Sequence, residues 1–285
     1  MTTATGTSEA AESTELRWDP NCIPPFPAIA LKALHMISGT DTSLPELCNL
    51  IRSDTAFSTA VLRLANSPLV AFPKTVTSVL QASMILGFRQ LRRVVVTLGL
   101  KAYLQNSFTP LMKLCWRHSV ACAIIAERSA KWCFLDNDFA YTAGTLHDIG
   151  RVALTTMMPG SYARVIERGA DHSQDLLQNE RDLCGIDHCQ AGLSLMTAWN
   201  LPEEFIEVAA RHHAPDANLQ GTASLLPLSC ALADSLGFSV VSFRSPRSHA
   251  AILAEFPDRA RKSFPADVKE LTSDIANEIK VIDSA

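Results

Sequence analysis

The sequence predicts an all-α protein, folded as two helical lobes in which the second carries the chemistry. Three observations support this reading. Apolar residues recur three and four apart through most of the chain, capping signatures and Gly or Pro breaks separate those stretches, and no convincing run of strands occurs. With 285 residues, 47% hydrophobic and 19% charged, the chain can bury one large core or two smaller ones, which excludes a disordered or fibrous protein. Its apolar runs, such as 94–96, fall far short of the ~18 residues a membrane span needs, and residues 1–20 carry no basic-then-apolar signal pattern. A cytoplasmic protein without membrane association is expected.

Residues 1–20 are rich in Thr, Ser, Ala and Glu with one aromatic, Trp18, and are expected to be a disordered tail. The N-terminal lobe then spans 21–105. Pro24-Pro25-Phe26-Pro27 fixes an extended entry, and Ile29, Ala30, Ala33, Leu34 and Ile37 mark a helix that stops at Gly39. Ser43-Leu-Pro-Glu46 has the form of a capping box for a helix through Ile51. Asp54 caps a third, which carries Val61, Leu62, Leu64 and Ala65 and closes near Asn66-Ser67-Pro68. Ser78-Val-Leu-Gln81 repeats the capping signature, its helix runs to Gly87, and another follows from Gln90. Helix–Gly–helix followed by arginines invites comparison with a DNA reader. Val94-Val95-Val96-Thr97-Leu98 is too apolar to lie in a groove, so DNA is not an expected partner.

The second lobe, 106–240, shows helical stretches at 111–130, 139–147, 162–168, 173–183, 188–199, 202–212 and 222–236. A C-terminal extension, 241–285, holds Pro246, Pro257 and Pro265 and a polar final helix with no assignable role. Eight cysteines (Cys22, Cys48, Cys115, Cys122, Cys133, Cys184, Cys189 and Cys230) include no C-x₂-C pair and mostly lie in apolar stretches, so they read as buried thiols. Trp116, Trp132 and Trp199 read as core.

The net charge of −4 conceals an asymmetry. Residues 55–126 contain no Asp or Glu but eight Lys or Arg, leaving −12 on the remainder. Arg89, Arg92 and Arg93 share a helix face and are candidates for binding a phosphate or an acidic partner. The alternative is that the basic stretch docks on the acidic remainder of its own chain.

The chemistry-bearing residues are histidines and aspartates near helix ends: His118, His147, Asp148, His188, His212, His213 and Asp234. Imidazoles and carboxylates delivered by several helices to one interior are how helical bundles hold divalent Fe, Mn or Zn, and one carboxylate can bridge two ions. The structural alternative is a set of core remnants hydrogen-bonded to their neighbours. Ser119 and Cys115 flank His118 without any nucleophile-elbow sequence, and His35, His172 and His249 stand outside the pattern.

Leu146-His-Asp-Ile-Gly150 resembles the signature of the HD superfamily of metal-dependent phosphohydrolases. The resemblance implies that His118, His147, Asp148 and Asp234 ligate metal. His188, His212 and His213 are similar to the extra ligands of the HD-GYP branch, which hydrolyses cyclic di-GMP. Over residues 23–215 the chain resembles the HDOD domain, the HD-related output domain of bacterial signalling proteins, more closely. The motifs carrying this are Leu62-Arg-Leu-Ala-Asn-Ser67, Thr77-Ser-Val-Leu-Gln-Ala82, Gly185-Ile-Asp-His188, Trp199-Asn-Leu-Pro-Glu203 and Arg211-His-His213. That resemblance implies a regulator acting through signalling-protein partners, with no established catalysis. Two departures weigh against the hydrolase. The Gly-Tyr-Pro segment is missing after His213, where Ala214-Pro215-Asp216-Ala217 stands, and Arg151 replaces the usual Lys. In an active enzyme on a nucleotide or cyclic dinucleotide, His147, Asp148 and Arg151 would be catalytic, Asp148 bridging ions and Arg151 stabilising phosphoryl charge.

Overall fold

The computed structural model describes residues 18–19, 22–23, 25–38, 43–67, 70, 72–105, 109–214 and 219–284. They form fifteen α-helices and no sheet; a single isolated bridge joins Ala170 and Phe243. The expected tail lies outside the described residues, except that Trp18 and Asp19 are included and Trp18 is partly buried against the core. Gly39 and Pro68, expected as helix stops, also lie outside them.

Four helices make the first lobe: α1 (Ala28–Ser38), α2 (Leu44–Arg52), α3 (Thr55–Ala65) and α4 (Val79–Gln105), with the first three packed on the last. Ser43 and Glu46 form the full capping box at α2, and Asp54 accepts the Phe57 N–H at α3. The two helices expected around Gly87 are both present within α4, separated by a kink where Gly87 leaves the helical conformation at φ +70°, ψ 171°. Phe26, Tyr103 and Trp199 interlock with ring centroids 5.4–5.8 Å apart, joining the proline-rich entry to the second lobe.

The second lobe is built on α5 (Pro110–Trp132), whose residues 118–126 are all buried, so this helix is covered on every side. Along it lies α6 (Asn137–Leu146). They approach closely because Gly144 lacks a side chain: a Cβ there would come within 2.6 Å of Ala123 Cα. Next follow α7 (Ile149–Met157), α8 (Pro159–Arg168), α9 (Ser173–Cys184), α10 (His188–Ala198), α11 (Glu203–Arg211), a 3₁₀ turn (Gly221–Ser224), α12 (Leu225–Ala233) and a π turn (Asp234–Phe238). The sequence pattern did not reveal α7. Where one polar C-terminal helix was expected, α13 (His249–Glu255) and α14 (Asp258–Ser263) precede α15 (Val268–Ser284). The last is amphipathic, burying Leu271, Ile275 and Ile279 at four-residue spacing.

The basic stretch meets the acidic remainder of the chain. Arg93 lies 3.1 Å from Glu127 and 2.7 Å from Glu278, over the face of Tyr141. Arg89 and Arg92 approach Asp138 at 3.2 and 4.0 Å. All eight cysteines are free; six are buried, Cys133 is half-buried and Cys22 is exposed.

Candidate metal centre

Asp148 is the hub of the second lobe. It stands at the start of α7, where a carboxylate normally caps the first backbone N–H groups, yet its side chain makes no capping bond and turns inward. Around it, His188 and His212 bring Nε2 to 3.4 Å from Oδ1, His147 Nε2 lies 3.9 Å from Oδ1, and His118 Nε2 lies 3.6 Å from Oδ2. All five side chains are buried.

Each imidazole is held by its other nitrogen. His147 and His212 cap α6 and α11, and their Nδ1–H groups donate to Gly144 O (2.8 Å) and Ala209 O (3.0 Å), three residues back. His118 Nδ1–H donates to Phe238 O at 3.1 Å. His188 Nδ1–H donates to Glu180 Oε2 at 2.6 Å, and the same carboxylate accepts His188 N–H and, through Oε1, the Tyr162 hydroxyl. The hydrogen-bond pattern assigns these tautomers and turns the Nε2 atoms toward Asp148, with His188 Nε2 also 3.5 Å from Arg151 Nη2. Nε2 of His147, His212 and His213 and both oxygens of Asp148 are buried without a hydrogen-bond partner. Lone pairs facing a carboxylate repel it unless a cation lies among them, and Arg151 approaches Oδ2, leaving the Oδ1 side to the imidazoles. The donors therefore fit a divalent ion, and the anchored Nδ1 atoms are the outer contacts that such ligands require.

The donors fall into two groups, each with ligand atoms within 4.8 Å of one another: Asp148, His188, His212 and His213; and His118, His147 and Cys230. Thus six of the seven residues singled out as ligands converge. Asp234, the seventh, lies on the far side of His118, with Oδ1 3.3 Å from Nδ1, and is in neither group. It buttresses that ring together with the Phe238 carbonyl. Arg151 differs in position from its expected role. Its side chain is only 4% exposed and its Nε lies 2.9 Å from Asp148 Oδ2, so it neutralises the hub from within. Sequence reasoning missed Cys230, which reads as a buried thiol in an apolar stretch, and Glu180, which no spacing to a histidine singles out.

The electrostatics follow from these contacts. Burial opposes the charge on Asp148, but Arg151 and the surrounding histidines outweigh it and hold the carboxyl well below its usual range. Burial likewise works against protonation of His188, but Glu180 prevails and raises it to about 9. Burial dominates at His118, pulling it down to about 3, and lowers His213 well below the ordinary histidine value. Beside the centre is a cavity of about 290 Å³ lined in part by His213, Cys230, Asp234, His172, Ser239 and Arg247.

Comparison with known proteins agrees with this architecture. The family model for the HDOD domain matches residues 23–215. An uncharacterized protein of Treponema pallidum (strain Nichols) is 27% identical over 196 residues, 67% of this chain and 37% of that protein, so the match spans little more than a third of the curated relative's length. An HDOD domain protein with unknown function from Geobacter sulfurreducens has a TM-score of 0.73 at 23% identity, covering 92% of each chain. A candidate signal transduction protein from Marinobacter aquaeolei VT8 scores 0.69 at 22% identity over 92% of this chain and 58% of its own. A candidate phosphohydrolase from Shewanella amazonensis SB2B scores 0.67 at 21% identity, over 92% and 93%. At these identities the structural likenesses speak for the fold.

Proposed function

We propose, because this chain belongs to the HDOD domain family, that it is a bacterial signalling module which acts through protein partners and holds a divalent ion in the core of its second lobe. The observation that supports this most directly is the ring of anchored imidazoles around Asp148, in which His147 and His212 keep Nε2 buried without a hydrogen-bond partner. We assign the ion to Asp148, His188, His212 and His213, with His118 and His147 alongside. Fe, Mn or Zn suits such donors. Bound there, the ion would supply positive charge and Lewis acidity, and its ligands would tie α7, α10 and α11 together.

Arg151 argues for regulation over catalysis. A guanidinium meant for a phosphoryl group must face the substrate, whereas this one is spent on Asp148. Of the three arginines assigned to partner contact, Arg89 keeps 53% of its side chain exposed and is the best placed to meet one; Arg93 is committed to its internal carboxylates. No described helix is long and apolar enough to cross a membrane.

One observation favours a second reading. The cavity reaching His213 and Cys230 would admit a small ligand, and at about 290 Å³ it is near the lower bound of the usual ~300–1,000 Å³, better matched to a phosphorylated mononucleotide than to a cyclic dinucleotide. Metal analysis and a phosphate-release panel separate the two. The regulator reading expects bound metal that is lost in Asp148→Asn, with no turnover of nucleotides or cyclic di-GMP. Turnover abolished by Asp148→Asn would establish the hydrolase instead, and protein that takes up no Fe, Mn or Zn would remove the metal from both.

A further inference from the structure

The resemblance assigns the anionic ligand opposite His118 and His147 to Asp234, but the fold places that carboxylate at the wrong nitrogen of His118. On the side where Nε2 points there is also a sulfur: Cys230 Sγ lies 3.5 Å from His118 Nε2, a thiol kept neutral by a hydrogen bond with Cys122 and by burial until a bound ion displaces its proton. We infer that His118, His147 and Cys230 form a thiolate-bearing zinc subsite beside the carboxylate subsite around Asp148. The inference rests on the reading that this core binds a divalent ion, and it assigns that reading a second, softer site.

Four observations carry it. The three donor atoms lie within 4.8 Å of one another and their residues are all buried. His147 Nε2 has no hydrogen-bond partner and its side chain is fully enclosed, so a polar atom in the core is aimed at the group without a protein contact to satisfy it. The Nδ1 atoms of both histidines are anchored on the carbonyls of Phe238 and Gly144, which leaves Nε2 as the nitrogen each ring can offer to an ion. Finally, Asp148 Oδ2, the oxygen that faces His118, is already engaged by Arg151, so the thiol replaces a carboxylate where one is most needed. Two imidazoles and a thiolate suit zinc, whereas the carboxylate-rich group accepts harder ions as well.

Cobalt substitution tests this independently of any activity. Cobalt-loaded protein should show a thiolate-to-cobalt charge-transfer band in the near ultraviolet that Cys230→Ser abolishes, while the visible ligand-field bands from the Asp148 group persist. X-ray absorption on zinc-loaded wild type should show a zinc–sulfur path near ~2.3 Å. That path should survive Cys189→Ser, the control for the other thiol near a site histidine, 3.9 Å from His212 Nδ1. Should Cys230→Ser fail to fold, the wild-type and Cys189→Ser spectra decide alone. Cobalt bound with ligand-field bands but no charge transfer would overturn this inference and leave the metal centre standing, as would a charge-transfer band that survives Cys230→Ser. Failure to bind cobalt or zinc at all would overturn both.

Discussion

Glu180 gathers three donors on one buried carboxylate, two of them from His188. Replacing it with Gln keeps the size but removes the charge that orients and enriches that imidazole. Loss of such an outer contact ordinarily costs about 10–100-fold in metal affinity. Competition titration of Glu180→Gln against a chromophoric chelator should find a loss in that range; unchanged affinity would mean His188 is no ligand. The same contact sets a pH dependence in chelator-treated protein. His188 is raised to about 9, so it stabilises the fold fully below the unfolded value of ~6.5, and that contribution is lost as pH rises through about 9. His118 works in the opposite direction. Held near 3 by burial, it refuses a proton that the unfolded chain accepts below ~6.5, so stability falls as pH drops from there. Thermal melts of the metal-free protein should therefore peak near pH ~6.5 and decline from there toward about 9, and Glu180→Gln should lower the maximum and flatten that alkaline decline. Stability that keeps rising between ~6.5 and 9 would contradict the assignment of His188, and stability that does not fall below ~6.5 that of His118.

Close helix crossings deliver these side chains, and the tightest is between α7 and α10. A Cβ on Gly150 would lie 1.9 Å from His188 O and 2.4 Å from Gly192 N, so only glycine lets Asp148 and His188 share a site. Gly150→Ala should destabilise by about 1–3 kcal/mol or more, the usual range for overpacking, and weaken metal binding as well. Gly160→Ala on α8, where nothing lies within 4 Å, should be near neutral. Differential scanning calorimetry of the pair distinguishes a packing requirement from general intolerance of alanine. This crossing also explains what could be read from sequence. Helices with an apolar stripe and a side-chain N-cap, such as α2 and α3, are visible because their signals are local. The helix α7 escapes because its defining feature, a glycine pressed on another backbone, is a long-range fact that resembles a break. The convergent histidines were legible as a set through their motif spacing. Cys230 was not, since a thiol within Leu225-Leu-Pro-Leu-Ser-Cys230 looks like any small apolar residue until the fold brings it against His118.

At the scale of the whole molecule, α15 joins the lobes through charge. Glu278 receives Arg93 from α4 at 2.7 Å and Arg128 from α5 at 3.0 Å, while Asp283 accepts Trp116 Nε1–H at 2.7 Å and, through its carbonyl, Lys101 at 2.8 Å. Arg93, Arg128 and Glu278 form one wall of a cavity of about 510 Å³, lined on its apolar side by Val94, Leu98, Val281 and Ile282. The charge asymmetry seen along the sequence is thus used inside the fold, where an arginine on one lobe is matched by carboxylates on the other lobe and on the last helix. Burial sets the consequence. Only 16% of the Arg93 side chain is exposed, and removing it leaves Glu127 and Glu278 close together without their common partner, so Arg93→Ala should cost about 3 kcal/mol, near the low end for breaking a buried pair. Arg89 meets Asp138 with 53% of its side chain in water, where screening leaves at most about 1 kcal/mol, so Arg89→Ala should melt almost like wild type. If α15 is what couples the lobes, urea unfolding of Arg93→Ala should also broaden or split into two transitions as the lobes lose their common partner. Equal and small effects at the two arginines would assign the coupling to apolar packing beneath α15, at Leu271, Ile275 and Ile279.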